Sequence, residues 1–283
     1  MTVTPDRKDR QRGPTPDPHI KPFAERLADA ARAETLPRFR AGAQIYNKAG
    51  MWFDPVTDAD REAERAQRRL IEAMYPDHGI LGEEFGETRP EASARWVLDP
   101  VDGTRAFVCG AATWATLIAH EINQSPVLGV IDQPFTDERW IGDGAACVYR
   151  RAGVEAPSRV SGCAELGKAR ITTTDPRSTA YFTRAEALAF EAVADAARLA
   201  RFGFDAYGYA LLALGEMDLV MEAGLQRHDY AALVPVIEGA GGVVTNWRGE
   251  RPGADDRGEI LAAGSAPLHA EALALIADVR RRG

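Results

Sequence analysis

Six residues, Asp99-Pro-Val-Asp-Gly-Thr104, bear most heavily on what this chain can become. They follow the apolar run Trp96-Val97-Leu98, which reads as a buried strand, and precede Arg105-Ala106-Phe107. Proline lacks the N–H that a ladder needs, so Pro100 is expected to stop the strand, and the Asp-Gly step signals a turn. Asp99 and Asp102 then project from one tight bend with the Val101 carbonyl between them. Such an all-oxygen set suits hard cations such as Mg2+. Gly103 lets the backbone approach a ligand, and a short helix opening at Thr104 would turn its unpaired N–H groups to the same point, where phosphate is favoured. The six residues are equally compatible with a plain strand end in which Asp caps a helix.

The segments on either side supply a frame. Apolar residues at Phe23, Leu27, Ala30, Ala31 and Leu36 predict an amphipathic helix from Phe23 to about Phe39. The aromatic, turn-like stretch from Tyr46 to Phe53 could overhang a site. Thr57 and Asp60 have capping-box spacing, and the helix they open carries Ala59, Ala63, Ala66, Leu70 and Met74 on one face until Pro76. Capping alone would account for Asp60, although a helix start also holds a carboxylate rigidly enough to orient a water. The strand Ile80-Leu81-Gly82 runs into Glu83-Glu84. This spacing is consistent with two neighbouring strand ends delivering Glu83 and Asp99 to one cation, and also with a solvated surface turn.

Short strands at 114–122, 126–132, 138–142 and 145–150 predict an antiparallel meander. Beyond Ala156-Pro157-Ser158 the pattern changes. Strands at 171–173, 218–221, 243–245 and 260–263 alternate with helices at 184–200, 207–214, 228–239 and 267–281, which implies an α/β half. The expected organisation is an N-terminal extension (1–21), an α+β half (22–155) and an α/β half (156–283). His228-Asp229 falls at a helix start, where an aspartate is an ordinary cap.

Composition excludes some classes of function. The formal charge of −8 argues against nucleic acid as a general partner, and no apolar run approaches the roughly 20 residues of a membrane helix. Three cysteines form neither a paired framework nor a CxxC pattern, so a reducing, cytoplasmic setting is expected. The charged, proline-bearing first 20 residues have no apolar core of a signal peptide and read as a disordered extension.

Taken in order, Lys48, Thr57 to Asp60, Gly82-Glu83-Glu84, Asp99 to Thr104, and Asp229 followed by Glu238-Gly-Ala-Gly-Gly242 resemble the inositol monophosphatase family over about residues 22 to 280. Asp132-Gln-Pro134, Glu138 to Gly142 and Ala232 to Gly242 look most like its histidinol-phosphate phosphatase branch. The resemblance implies an α+β chain folded as an alternating αβαβα layered sandwich, usually a homodimer, that hydrolyses small phosphate monoesters with two or three Mg2+ ions. It implies that Glu83, Asp99 and the Val101 carbonyl bind a first Mg2+, and that Asp99, Asp102 and Asp229 bind a second, with Glu83 reaching a third. Thr104 and Asp60 would orient the attacking water, and the N–H groups of Gly103 and Thr104 would hold phosphate. Glu222, Lys48, Trp52 and His228 would face the rest of the substrate. His228 and the bulky Met51-Trp52-Phe53 depart from the family pattern and bear on substrate choice. Inositol-1-phosphate, a broader set of sugar phosphates, and a catalytically silent metal-stabilised binding role are the alternatives.

Overall fold

The computed structural model describes residues 17–47, 55–178, 180–253 and 257–282. The expected extension falls largely outside them. The helices are α1 (Ile20–Thr35), α2 (Asp58–Met74), α3 (Thr104–Cys109), α4 (Arg184–Ala196), α5 (Ala206–Ala213), α6 (Arg227–Tyr230), α7 (Leu233–Gly239) and α8 (Ala266–Arg282). The strands are β1 (Ile45–Asn47), β2 (Pro55–Thr57), β3 (Gly79–Gly82), β4 (Gly86–Thr88), β5 (Ala94–Asp102), β6 (Ala115–Ile122), β7 (Ser125–Gln133) and β8 (Glu138–Gly142). They continue with β9 (Cys147–Arg151), β10 (Val154–Pro157), β11 (Arg170–Thr173), β12 (Leu199–Phe202), β13 (Leu219–Glu222), β14 (Val243–Thr245) and β15 (Ile260–Ala263).

Strand alternation sets up the layers. In β5, Trp96 and Leu98 point to one face and pack with Phe23 and Leu27 of α1 and Ile71 of α2. Val97 points to the other face and packs with Tyr209 of α5 and Val236 of α7. These strands belong to an eight-stranded sheet of order β10-β9-β8-β7-β6-β5-β3-β4, antiparallel except for the parallel pair β3/β5. The second sheet, β12-β11-β13-β15-β14, packs Val220 and Ala262 against α5 and α7, and turns Leu219 and Leu261 to α4 and α8. Both sheets are therefore covered on both faces, and the chain stacks as α, β, α, β, α. Helix α7 lies close enough on the first sheet that a Cβ at Gly129 of β7 would stand 2.0 Å from the Ala232 carbonyl oxygen. Only glycine fits there, and the close approach fixes the segment that carries Asp229.

Several elements differ from expectation for identifiable reasons. Pro100 does not stop the strand. β5 continues to Asp102 through a register shift between Asp99 and Asp102, and the Pro100 carbonyl accepts a hydrogen bond from Thr116 Oγ1 at 2.7 Å. A bulge tolerates proline where a regular ladder does not. The buried face of α2 carries Asp60, Glu64 and Gln67 beside Ala59, Ala63 and Ile71, while Met74 is exposed. The helix expected from 184 to 200 ends at Ala196, and Leu199–Phe202 pairs with β11. The helix expected from 228 to 239 is two short helices, α6 and α7.

One buried group ties the first sheet to pH. His120 on β6 packs beside Trp96 and His78, with ring centroids at 4.6 and 5.3 Å, and neither ring nitrogen has a hydrogen-bond partner among the described residues. Burial, with the His78 charge adding and Asp17 opposing, pushes its imidazolium down to about 4. A folded value below the unfolded one (6.5) means that the unfolded chain takes up the proton more readily, so stability falls as pH drops from about 6.5 toward 4. Between pH 7 and 5 the loss should be about 2 kcal/mol. Urea titrations at both pH values should show His120→Phe losing less stability than the parent by about that amount, and equal losses would contradict this account.

Candidate active site

The capping box on α2 builds the first wall. Thr57 Oγ1 accepts the Ala59 N–H at 3.1 Å, while Asp60 Oδ2 accepts the Thr57 N–H at 3.0 Å and its hydroxyl at 2.5 Å. The other oxygen, Asp60 Oδ1, lies 3.1 Å from Thr104 Oγ1, the first residue of α3. The Thr104 hydroxyl is also 3.1 Å from the Val101 carbonyl oxygen, so its one proton is shared between two acceptors and its lone pairs remain to accept. Burial pushes the Asp60 carboxyl up to about 6 against the Thr57 hydrogen bonds. Asp60 is thus both cap and neighbour of the α3 start.

The bulge at Pro100 places the acidic cluster. Asp99, almost fully buried, accepts the Val101 N–H at 3.1 Å, and Asp102 Oδ2 accepts the Ala206 N–H of α5 at 2.6 Å. Asp229 on α6 accepts the Gln226 N–H at 2.7 Å. One oxygen from each of Asp99, Asp102 and Asp229 falls within 4.8 Å of the others. Glu83, in the turn between β3 and β4, joins them: burial first, then the charges of Glu83, Asp102 and Asp229, hold the Asp99 carboxyl well above the ordinary carboxylate range. Burial and the charges of Asp205 and Asp229 do the same to Asp102. Crowded, buried, like-charged oxygens are the donor set a hard divalent cation relieves, so these residues fit such an ion.

The cluster lines a cavity of about 310 Å³ that also takes in Gly103, Thr104, Arg105, Thr174, Tyr181, Asp205, Glu222 and His228. Gly103 precedes α3 at φ 80°. Glu222 closes β13, buried, and accepts hydrogen bonds from Thr173 Oγ1 at 3.0 Å, the Thr174 N–H at 2.6 Å and the Thr174 hydroxyl at 2.9 Å. Burial still pushes its carboxyl up to about 8. His228 Nε2 stands 3.3 Å from Asp229 Oδ1. Lys48 and Trp52 lie outside the described residues.

Asp205 was not legible in the sequence. It precedes α5 at φ 49° and ψ −144°, a conformation that side chains rarely adopt, and its carboxylate packs against Gly103. Burial pushes it up to about 6, with Arg105 pulling the other way. Arg105 itself lies over the Tyr181 ring, 5.1 Å from its centroid. A neighbouring acid in a Phe-Asp-Ala stretch carries no sequence signal of this kind, because the tertiary contact with Gly103 creates it.

The model of the inositol monophosphatase family matches residues 19–282. The bifunctional phosphatase IMPL2 of Arabidopsis thaliana chloroplasts is 40% identical over 257 residues, covering 87% of this chain and 72% of the relative. A histidinol-phosphatase of Chlorobaculum parvum is 33% identical over 256 residues, 88% of this chain and 92% of the relative. The solved structure of an inositol monophosphatase from Zymomonas mobilis superposes with a TM-score of 0.80 at 40% identity, covering 90% of this chain and 96% of that one.

Proposed function

This chain belongs to the inositol monophosphatase family and is a phosphate monoester hydrolase, and from that premise we propose that its substrate is L-histidinol phosphate. The observation that carries the reading is the surplus of acid in the cavity. Glu83, Asp99, Asp102 and Asp229 are the cation ligands of the proposal, with the Val101 carbonyl. Asp205 and Glu222 are left over, both beside Thr174, with Arg105 on the same wall. A neutral polyol gains little from two buried carboxylates. An ammonium group restores both to their charged form, because an opposite charge within a few ångströms offsets the cost of burial. Three curated relatives at 33–34% identity are named histidinol-phosphatase, which supports this reading.

Bound Mg2+, two or three ions in this reading, would neutralise the transferring phosphoryl group and make a water nucleophilic near neutral pH. The chain supplies the rest. Gly103 and Thr104 N–H groups hold phosphate oxygens. A water donating to a lone pair of Thr104 Oγ1 gives that oxygen its proton while the Thr104 proton passes to Asp60 Oδ1 and the water oxygen attacks phosphorus. The P–O bond to the alcohol breaks, and the alkoxide leaves protonated by solvent. No covalent enzyme intermediate is required.

The test is phosphate release from L-histidinol phosphate and from myo-inositol 1-phosphate with Mg2+, side by side, with an EDTA control. A kcat/KM ratio of about 100 or more, on the order of 3 kcal/mol in the transition state, is expected for histidinol phosphate. Asp205→Asn should shrink that ratio about tenfold by weakening the ammonium substrate alone. The reverse preference would remove this substrate and leave the hydrolase assignment intact.

A further inference from the structure

Glu64 is a buried acid on α2 that neither the capping box nor the acidic cluster uses. It lies one helical turn beyond Asp60, on the same face, and is fully buried. Beyond an ion pair with Arg68 of its own helix, its carboxylate reaches a neighbouring turn. Oε2 accepts the Glu84 N–H at 2.7 Å and Oε1 accepts the Phe85 N–H at 3.2 Å, both in the turn between β3 and β4. Arg68 adds a bond from Nε to Glu64 Oε1 at 2.7 Å, and its other nitrogens reach Thr88 Oγ1 at 3.0 Å and the Gly86 carbonyl. The residue before Glu83 yields space to this carboxylate, because a Cβ at Gly82 would fall 2.0 Å from Glu64 Oε1.

We propose that Glu64 is the positioning residue for Glu83, holding the Gly82–Gly86 turn so that the Glu83 carboxylate reaches the Asp99 cluster. Three successive amides of the turn are tied down. The Glu83 N–H donates to the Leu98 carbonyl at 3.2 Å, the residue immediately before Asp99, and the next two donate to Glu64. Glycines at both ends leave this turn little intrinsic preference, so its conformation follows the anion that its N–H groups surround. A buried carboxylate is costly unless fully bonded, and an apolar side chain of the same size would fill the space. The charge is retained where it fixes backbone donors beside a cation ligand. Asp60 and Glu64, one turn apart near the start of α2, thus make one rigid helix hold both the Thr104 hydroxyl and the Glu83 turn.

The inference rests on the reading of Glu83 as a cation ligand, and the experiment separates the two. Mn2+ binding is measured by calorimetry on the full chain stripped of metal, for the parent, Glu64→Gln, Glu83→Gln and Asp218→Asn, together with kcat and KM at saturating Mg2+. Glutamine keeps the volume of Glu64 but can accept from only one of the two turn amides, and its NH2 opposes the other. Glu64→Gln should weaken Mn2+ binding about tenfold or more, with kcat recovering at high Mg2+ and KM for substrate within twofold. Asp218, a buried acid bonded to Arg170 and Ser161, is the control for lost stability alone, and Asp218→Asn should leave Mn2+ affinity within twofold. If Glu83→Gln weakens Mn2+ binding and Glu64→Gln does not, the positioning role is overturned and the ligand stands. If Glu83→Gln has no effect, the ligand assignment fails and the inference with it. Equal losses for Glu64→Gln and Asp218→Asn at matched Tm would also overturn the inference. Should Glu64→Gln not fold, Arg68→Gln takes its place, with about threefold weaker binding expected and unchanged binding overturning the role.

Discussion

Asp99→Asn should lower kcat/KM for phosphate release by about 1,000-fold or more, the loss of roughly 4 kcal/mol of charge stabilisation in the transition state. The same substitution should raise the Tm of the metal-free protein. Asparagine keeps the volume and can still accept the Val101 N–H that Asp99 Oδ1 accepts at 3.1 Å, so the bulge is preserved. What disappears is a buried charge facing Glu83, Asp102 and Asp229. Its carboxyl is held above its unfolded value, so the ionised form opposes folding at neutral pH, and stability from this group returns only as pH falls through the raised value. Removing it should stabilise the stripped protein by about 1–2 kcal/mol, a rise of a few degrees. Mg2+ should then reverse the order, because a ligand that binds only the folded state raises Tm in proportion to its affinity, and the parent binds it more tightly. Thermal melts with EDTA and with Mg2+, paired with turnover, check both halves. A variant less stable than the parent in EDTA would show that the cluster is not electrostatically strained, and an active one would remove Asp99 from the metal site.

How much of this was legible in the sequence depends on where each interaction lies along the chain. The box formed by Thr57 and Asp60 could be read because its partners are three residues apart, and the Asp99–Thr104 bend could be read because its donors are contiguous. The Pro100 bulge was misread for a local reason. Proline argues against a ladder, but the antiparallel partner β6 accommodates it by slipping register, which no window on β5 reveals. The split between α6 and α7 is marked by Pro235 in the first turn of α7, a signal that the helix expected from 228 to 239 passed over, since proline has no N–H to continue a helix from Ala231. The strand Leu199–Phe202 adjoins an alanine-rich helix and gains its conformation from pairing with β11. Glu64 carries no signal of its own in the sequence, since i+4 spacing from Asp60 says which face it shares but not that the face is buried. Asp205 depends on a contact with Gly103, about a hundred residues earlier, and on a backbone angle that sequence does not encode locally. Short-range chemistry was visible, and the residues that shape the rest of the cavity were set by packing.

Asp60→Asn should lower kcat by about 1,000-fold with KM for substrate and Mn2+ affinity little changed, within the range by which a positioned general base accelerates proton transfer. The geometry separates this residue from the proposed metal ligands. Asp60 Oδ2 is committed to the Thr57 N–H and hydroxyl, and Oδ1 faces Thr104 alone among the described hydrogen bonds. Its single outward path is therefore through the Thr104 hydroxyl to whatever that hydroxyl touches. Burial pushes Asp60 up to about 6, with the Glu83 charge adding to the rise, so the group is poised near the operating pH, where a base is most effective. The sign follows: as pH falls through about 6 the carboxylate takes up a proton, the base is lost, and kcat falls. Mg2+ beside Glu83 would lower that midpoint, so the acid limb of kcat should move to lower pH as Mg2+ is raised. Asparagine cannot accept a proton at Oδ1, so the variant should lose the acid limb along with its rate. Thr104→Val, which removes the relay and leaves Asp60 in place, should match Asp60→Asn in kcat, and the double variant should be little slower than either, because groups that act as a unit are not additive. Additive losses would mean that Asp60 and Thr104 act on the water independently, and a parent-like pH profile in Asp60→Asn would assign the base elsewhere.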